Sequence, residues 1–191
     1  MTIRNIDQAI KQAESISLSG QDLKDITDGK CNIFRYSDLM DKNTIDEVLG
    51  QFGAAILLYQ TERDYGHYAA IFISHDNPNV LIFYDSLGLT IDKELKFSTF
   101  NSKNMGGVAQ FHLTELIQKS KYKVISNTKK LQKGLFDNNT CGRFASMRIV
   151  FRKMTNKQFN FVLSSNKYYD ADYAVSILTV PHDQLLMLID Q

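Results

Sequence analysis

The side chain best suited to chemistry in this sequence is a cysteine just ahead of a predicted helix. Cys141 lies in the polar stretch 138–143, and the apolar residues from Phe144 to Met154 recur at helical spacing. At the first turn of a helix, free N–H groups and the helix dipole favour the thiolate over the thiol. Such a cysteine is either a nucleophile or a small buried apolar residue, and this stretch alone leaves both interpretations open.

A nucleophilic cysteine needs a base, and the four histidines are the candidates. His75 lies in a predicted turn and His182 follows a proline, so both are expected at the surface, whereas His112 opens a predicted helix without a carboxylate placed beside it. His67 begins the second of three predicted strands, and Asp85 directly follows the third. Antiparallel pairing would bring these two side chains together, so that the carboxylate fixes the imidazole tautomer. The alternative is a structural hydrogen bond at the rim of the sheet.

Thioester chemistry also requires hydrogen-bond donors for the oxyanion. One is the backbone N–H of Cys141, and the second would be a side-chain amide that precedes it in the sequence. We favour Gln132, which is set off in a predicted loop nine residues before the cysteine. Asn138 and Asn139 are alternatives for this role, and a solvent-facing glutamine without a role in chemistry is a further alternative.

A change of hydrophobic period separates the elements that must position these residues. Helical spacing and capping signals predict three N-terminal helices, over 3–13, from Ser19 to Gly29, and from Thr44 to Gly50 or Gly53. Short apolar runs rich in strand formers then predict an antiparallel meander with strands 54–59, 67–73 and 80–84. The apolar density of these strands is typical of a sheet covered by helices.

The second half of the chain carries further predicted elements, which are a helix over 112–118, a strand over 122–125, the helix that begins at Cys141 and a helix capped by Thr155. Residues 174–180 suit a helix and a strand equally well. Gly106-Gly107 is expected in a loop.

Composition limits the fold and the classes of function. With 191 residues, of which 43% are hydrophobic, the chain can bury a core as one domain over residues 1–191. Its 22 basic and 21 acidic residues nearly cancel, so charge alone indicates no nucleic-acid or membrane partner. The two cysteines, Cys31 and Cys141, have no CxxC spacing, which argues against a disulfide framework or a thiolate zinc site and favours a reducing compartment. Cys31 is expected to be buried and inert, and the absence of a signal peptide or membrane span predicts a soluble intracellular or virion-internal protein.

Four short motifs, taken in order, resemble those of the adenovirus-protease and ubiquitin-like-protein-protease clan of cysteine peptidases. They are Gly66-His67-Tyr68 before an apolar strand, Tyr84-Asp85-Ser86-Leu87-Gly88, Gln132, and Asn139-Thr140-Cys141-Gly142-Arg143. The Thr-Cys-Gly-Arg form is most similar to the capsid-maturation proteases of virophages such as mavirus. The similarity covers residues 54 to about 154. Tyr68 stands where many members have tryptophan, and Gln132 is farther from Cys141 than in the family, so its role requires the loop between them to bulge out.

The resemblance implies an α+β, adenain-like cysteine peptidase fold, with a central, mainly antiparallel sheet packed between helices and the nucleophile at a helix N-terminus. It implies a viral maturation endopeptidase that cleaves capsid or other virion precursor proteins after small residues such as Gly-Gly, without a cofactor or metal. Its catalytic residues would be His67, Asp85, Gln132 and Cys141. The protein would act in the virion and the host-cell virus factory and would not be secreted.

The same clan offers two alternatives, a deubiquitinase-like or deSUMOylase-like protease and an acetyltransferase-like effector, and a catalytically silent binding module is a third. Six lysines also precede the cysteine, at Lys119, Lys121, Lys123, Lys129, Lys130 and Lys133. They form either a solvated face or, as resemblance to adenovirus protease implies, a surface for activating DNA, because clustered lysines bind phosphates. An activating peptide is the other partner that the resemblance implies.

Overall fold

A five-stranded sheet with helices on both faces forms the core of the protein, which is represented by a computed structural model that describes residues 3–62, 65–93, 95, 111–134 and 138–180. The strands are β1 (Asn32–Arg35), β2 (Ala54–Glu62), β3 (Tyr65–Ile73), β4 (Val80–Tyr84) and β5 (Lys123–Ser126). The α-helices are α1 (Ile3–Glu14), α2 (Gly20–Ile26), α3 (Ile45–Leu49), α4 (His112–Gln118), α5 (Cys141–Val150), α6 (Asn156–Ser164) and α7 (Ala171–Thr179). In the described part of the chain, 3₁₀ helices also cover Tyr36–Asp41 and Gly50–Phe52.

The sheet is mixed and has the strand order β1-β2-β3-β4-β5. Its centre is the predicted antiparallel meander, in which Ala70 of β3 pairs with Ile56 of β2 and with Tyr84 of β4. At the two edges, β1 pairs in parallel with β2 and β5 in parallel with β4. The α+β class is confirmed, but the expectation of a mainly antiparallel sheet is wrong. Long connections, through α3 on one side and α4 on the other, return the chain to the same end of the sheet and so permit parallel pairing.

Side chains alternate along each strand, so the two faces of the sheet bury separate hydrophobic clusters. On one face, Phe72 of β3 belongs to a cluster with Phe144 of α5 and Phe159 of α6. On the other face, Leu57 of β2 belongs to a cluster with Leu113 of α4. Full burial of each such side chain stabilises the fold by roughly 1.5–3 kcal/mol. The helix that begins at Cys141 is therefore fixed against the centre of the sheet.

Capping residues start the helices where the sequence predicted. The Ser19 N–H donates to Asp22 Oδ2 at 2.7 Å, and the Thr155 N–H donates to Gln158 Oε1 at 2.9 Å. In both capping boxes the hydroxyl accepts a hydrogen bond in return. The predicted Thr44 cap also forms.

Other boundaries differ from the expectations. β3 begins at Tyr65, two residues before His67, because the hairpin with β2 continues through the pair Gln60 and Gly66. The predicted strand over 122–125 lies one residue later. The undecided run 174–180 belongs largely to a helix, since α7 covers all but its last residue.

Some expectations fall on residues beyond the described ranges. Gly106-Gly107 and His182 lie outside the described residues. Among the helices that can be described, none has the length and apolar character needed to cross a bilayer.

Candidate active site

The predicted pair of imidazole and carboxylate forms where β3 begins and β4 ends. Since Ala70 pairs with Tyr84, His67 and Asp85 extend from neighbouring strands on one side of this end of the sheet. The Nε2 atom of His67 lies 3.0 Å from Oδ2 of Asp85, and both side chains are buried. The second carboxylate oxygen, Oδ1, accepts the Leu87 N–H at 2.7 Å. The carboxylate is held from two directions and cannot readily turn away from the imidazole.

The turn that carries Asp85 is fixed from behind by a buried asparagine. Asn127 Nδ2 donates to the Asp85 backbone carbonyl at 2.8 Å, and Asn127 Oδ1 accepts from Asn160 Nδ2 at 2.8 Å. Sequence reasoning missed Asn127, because an asparagine after a predicted strand is typical of any turn. Its burial, which the sequence does not reveal, distinguishes it.

Cys141 is the first residue of α5, as predicted, and its buried side chain lies beside His67. Burial alone would raise the pKa of the Cys141 thiol. The hydrogen bond and charge of His67, together with the backbone N–H groups of Tyr68 and Gly142, instead lower that pKa below its ordinary value. The positive end of the α5 dipole acts in the same direction. The site therefore favours the thiolate.

The His67 imidazole responds in the opposite direction. Burial by itself would lower its pKa, whereas the hydrogen bond to Asp85 and the neighbouring Cys141 thiolate raise the pKa well above its ordinary value. The two groups interact directly, so both pKa shifts belong to the pair, and both act in favour of a thiolate beside an imidazolium.

The second imidazole nitrogen of His67 is not engaged with Asp85. Nε2 is engaged with Asp85, and the buried Nδ1 has no hydrogen-bond partner of good geometry among the described residues. Cys141 nevertheless lies near enough for each group to shift the pKa of the other. Loose contacts between nucleophile and base are common in cysteine sites without substrate.

Gln132 lies in the interior, next to the stretch that leads to the cysteine. Its Oε1 accepts the Ser86 hydroxyl at 2.7 Å, and its Nε2 donates to Asn138 Oδ1 at 3.1 Å. Only 1% of Gln132 is exposed, so the solvent-facing alternative is wrong. Its amide donor is bound to Asn138 here, and its role toward an oxyanion stays a prediction.

The two asparagines offered as alternatives occupy different environments. Asn138 is buried, and its Nδ2 makes no hydrogen bond of good geometry within the described part of the chain, although it lies close enough to Asp172 to lower the pKa of that carboxyl. Asn139 is partly exposed and donates from Nδ2 to the Ser15 carbonyl at 2.6 Å. Asn139 also lines the cleft next to Cys141.

A narrow cleft of about 40 Å³ opens beside the sulfur, between Leu18, Tyr68 and the two glycines Gly66 and Gly142. A Cβ on Gly66 would lie 2.1 Å from the Tyr59 carbonyl oxygen, so the two backbones can approach only at glycine. A Cβ on Gly142 would lie 3.3 Å from the Tyr68 ring. The space around Cys141 therefore admits only small groups.

The remaining cysteine and histidines lie in other settings. Cys31 is buried, donates to Thr27 Oγ1 at 3.5 Å and has a pKa that burial raises, as expected of an inert thiol. His75 is exposed, as predicted, and His112 packs near Tyr36. Within the described ranges, no group of three His, Cys, Asp or Glu side chains has the arrangement of a metal site.

The six lysines that precede Cys141 in the sequence all lie at the surface. All six are exposed, which both the solvated-face and the DNA-binding interpretations allow. Lys133 forms an ion pair with Asp170, and Lys129 Nζ donates to Ser164 Oγ at 2.9 Å.

Comparison with known proteins relates most of the chain to a virophage protein. Over 174 residues the chain is 30% identical to the uncharacterized protein V9 of Sputnik virophage. The aligned region covers 90% of this chain and 98% of that protein. No family model matches the chain.

Proposed function

We propose that this chain, which belongs to the same virophage family as Sputnik protein V9, is a cysteine endopeptidase. One observation carries the proposal: Cys141 begins a helix beside the ring of His67, whose Nε2 lies 3.0 Å from Asp85. The three side chains come from separate segments and are all buried at one place. A thiol nucleophile, its base and an orienting acid are what acyl transfer through a thioester requires.

In the proposed reaction the Cys141 thiolate attacks the carbonyl carbon of the scissile peptide bond, and the carbonyl oxygen becomes an oxyanion. The His67 imidazolium donates its Nδ1 proton to the leaving amine as the C–N bond breaks and a thioester forms. Water then attacks the thioester while His67 takes its proton, which releases the acid and restores the thiolate. Asp85 keeps the ring oriented and stabilises its charged form throughout.

The oxyanion would be held by the backbone N–H of Cys141 and the side-chain amide of Gln132. The first turn of a helix leaves its N–H groups without partners in the helix, which supports the first donor. The second would have to exchange its 3.1 Å hydrogen bond to Asn138 for one to the substrate. Burial of Gln132 supports this role, because hydrogen bonds to a developing charge are strongest where water is excluded.

We further propose that the substrates are capsid or other virion precursor proteins cut after small residues such as Gly-Gly. The virophage relative supports a viral substrate and action in the virion or the host-cell virus factory. The cleft of about 40 Å³ supports small residues at the cut, since larger side chains would meet Leu18 and Tyr68. Activation by DNA or by a peptide stays a prediction.

Incubation with candidate virophage structural proteins, followed by mass determination of the fragments, tests the proposal. We expect defined fragments from the natural chain and none from Cys141→Ala. Ubiquitin-like conjugates and an acetyl-CoA acceptor assay test the two clan alternatives in parallel. Absence of cleavage in every arm, with or without duplex DNA, would refute the endopeptidase and favour a binding module.

A further inference from the structure

We propose that Asp172 of α7 is a positioning residue that closes the loop between Gln132 and Cys141 and thereby places the oxyanion-binding side of the site. This inference rests on the proposed endopeptidase function. Asp172 touches neither the nucleophile nor its base in the structure, and it would act through the residues that flank them.

The two oxygens of one carboxylate bind the two ends of this loop. Asp172 Oδ2 accepts the Lys133 backbone N–H at 3.0 Å, and Oδ1 accepts the Thr140 hydroxyl at 2.5 Å. Lys133 directly follows Gln132, and Thr140 directly precedes Cys141. A single side chain from a distant helix therefore holds the residues next to both candidate oxyanion donors.

The two candidate oxyanion donors are far apart along the chain, so contacts must hold both ends of the loop for the donors to lie at one site. Eight residues lie between Gln132 and Cys141, and an extended chain across these nine steps spans about 30 Å. With the ends tied to Asp172, the Gln132 amide lies against Asn138, only 3.1 Å from its side-chain oxygen. The clamp thus offsets the long spacing that separates this chain from the family pattern.

Thr140 stands at the N-cap of α5, but its side chain does not cap that helix. Threonine at a helix N-cap usually accepts an N–H from the first turn, but Thr140 makes no such capping bond to α5. Its hydroxyl points to Asp172 instead. The N–H groups in the first turn of α5 are therefore not used by a capping hydroxyl. The Gly142 N–H donates to the Cys141 sulfur, and the Cys141 N–H is the candidate donor to an oxyanion.

The electrostatic setting of Asp172 makes its ionised form costly. Its side chain is fully buried, whereas the nearby cation, Lys133 Nζ, pairs with the more exposed Asp170. Burial raises the pKa of Asp172, and the hydrogen bonds from Thr140 and the Lys133 N–H only partly oppose this effect. Among the described residues no cation pairs with this carboxylate, and a buried unpaired carboxylate costs free energy. The clamp therefore depends on the two hydrogen bonds rather than on the charge, and a neutral side chain that can make both should replace Asp172.

Paired substitutions separate the clamp from a general contribution to folding. Asp172→Ala removes both contacts, and Thr140→Val removes the hydroxyl without changing the side-chain shape. Thr140→Ser keeps the hydroxyl, and Asp172→Asn can keep both contacts if its carbonyl accepts the Lys133 N–H and its NH₂ donates to Thr140. Ser176→Ala is the matched control, because Ser176 lies one turn later on α7, is buried, and makes no side-chain hydrogen bond within the described residues.

Two rates are measured for each variant, kcat/KM for a cleaved peptide and the alkylation of Cys141 by iodoacetamide. We expect Asp172→Ala and Thr140→Val to lose about 100-fold in kcat/KM, the usual cost of a displaced oxyanion donor. The rate of Cys141 alkylation in these two variants should stay near that of the natural chain, because alkylation forms no oxyanion. Thr140→Ser, Asp172→Asn and Ser176→Ala should cleave nearly as well as the natural chain.

The outcomes distinguish the clamp from the function on which it rests. If Thr140→Val cleaves as fast as the natural chain, the clamp is refuted and the peptidase stands. If cleavage and alkylation fall together, the contact supports the fold or the nucleophile, and the clamp is again refuted. If the natural chain cleaves nothing, the proposed function fails first and the clamp with it.

Discussion

Replacing Asp85 with asparagine removes the negative charge beside His67 and keeps the side-chain shape. The Leu87 N–H, 2.7 Å from Oδ1, is satisfied only if the new carbonyl oxygen takes the Oδ1 position. The NH₂ group then faces His67 Nε2 at the former distance of 3.0 Å, so Nε2 must accept and the ring proton moves to Nδ1. Since Nδ1 has to take the proton of Cys141, the variant holds the imidazole in the wrong tautomer.

Two losses combine in the Asp85→Asn variant. A hydrogen bond to a charged group contributes roughly 1.5–3 kcal/mol, which corresponds to about 10- to 150-fold in rate. The matching change in Ser-His-Asp enzymes, which also traps the wrong tautomer, lowers kcat by about 10⁴-fold. We therefore expect kcat to fall by about 10²- to 10⁴-fold. The pKa of His67 should also fall, because the carboxylate no longer opposes burial.

Two assays check this prediction independently. Steady-state cleavage of a virion precursor peptide gives kcat, and an NMR titration of His67 in a Cys141→Ala background gives the direction of the pKa change without the thiolate. Asp76→Asn is the matched control, because Asp76 is an exposed aspartate in the turn beside His75. If Asp85→Asn has the kcat of the natural chain and the His67 pKa is unchanged, the role of Asp85 as the group that orients His67 is refuted.

Three further predictions concern the nucleophile, the cleft and the stability of the fold. Cys141→Ala should abolish cleavage, with circular dichroism like that of the natural chain because little buried volume is lost at the helix start. His67→Ala should abolish cleavage nearly as completely, and appreciable residual activity of either variant would contradict the mechanism. Gly66→Ala should destabilise the fold by about 1–3 kcal/mol, since its Cβ would lie 2.1 Å from the Tyr59 carbonyl oxygen, and a denaturant midpoint equal to that of the natural chain would speak against this contact. Asp172→Asn should be at least as stable as the natural chain at neutral pH, because burial raises the pKa of Asp172 and folding therefore penalises its ionised form. Proton binding by Asp172 stabilises the folded natural chain, and this contribution is complete below pH 3.8 and is lost as the pH rises through the raised pKa. Thermal unfolding should therefore show the stabilities of the natural chain and of Asp172→Asn converging on acidification. Divergence of the two stabilities would disprove the sign of the pKa shift.

The pair of His67 and Asp85 could be predicted because it depends on strand order and direction alone. Three apolar runs joined by short polar turns leave little choice except an antiparallel meander, and the meander places the two residues at the same end. Cys141 at a helix start was likewise predictable, since local polarity and helical spacing meet there. These features need no knowledge of side-chain packing.

The edge strands could not be oriented from the sequence. β1 and β5 are four residues each, and their direction depends on the path of long connections that pack α3 and α4 against the sheet. No local pattern encodes that path. The sequence therefore predicted the centre of the sheet correctly and its overall character incorrectly.

The residues that support the site were the least predictable. Asn127 and Asp172 look like ordinary turn and helix-start residues, and only tertiary packing buries them beside Asp85 and Thr140. Gln132 was chosen because it stood in a loop, whereas the structure places it in the interior. There Ser86 binds its side chain, and Asp172, forty residues later, binds the backbone of the next residue, Lys133. Long-range hydrogen bonds of this kind leave no periodic signal.

The pH dependence of alkylation at the two cysteines of the natural chain tests the central claim most directly. Iodoacetamide labelling followed by mass determination of the two peptides measures both rates in one sample. We expect Cys141 to react at pH values below the ordinary thiol pKa of 9.0, because its pKa is lowered, whereas buried Cys31, whose pKa is raised, should not react there. Equal and slow reaction of the two thiols at neutral pH would contradict the thiolate at Cys141.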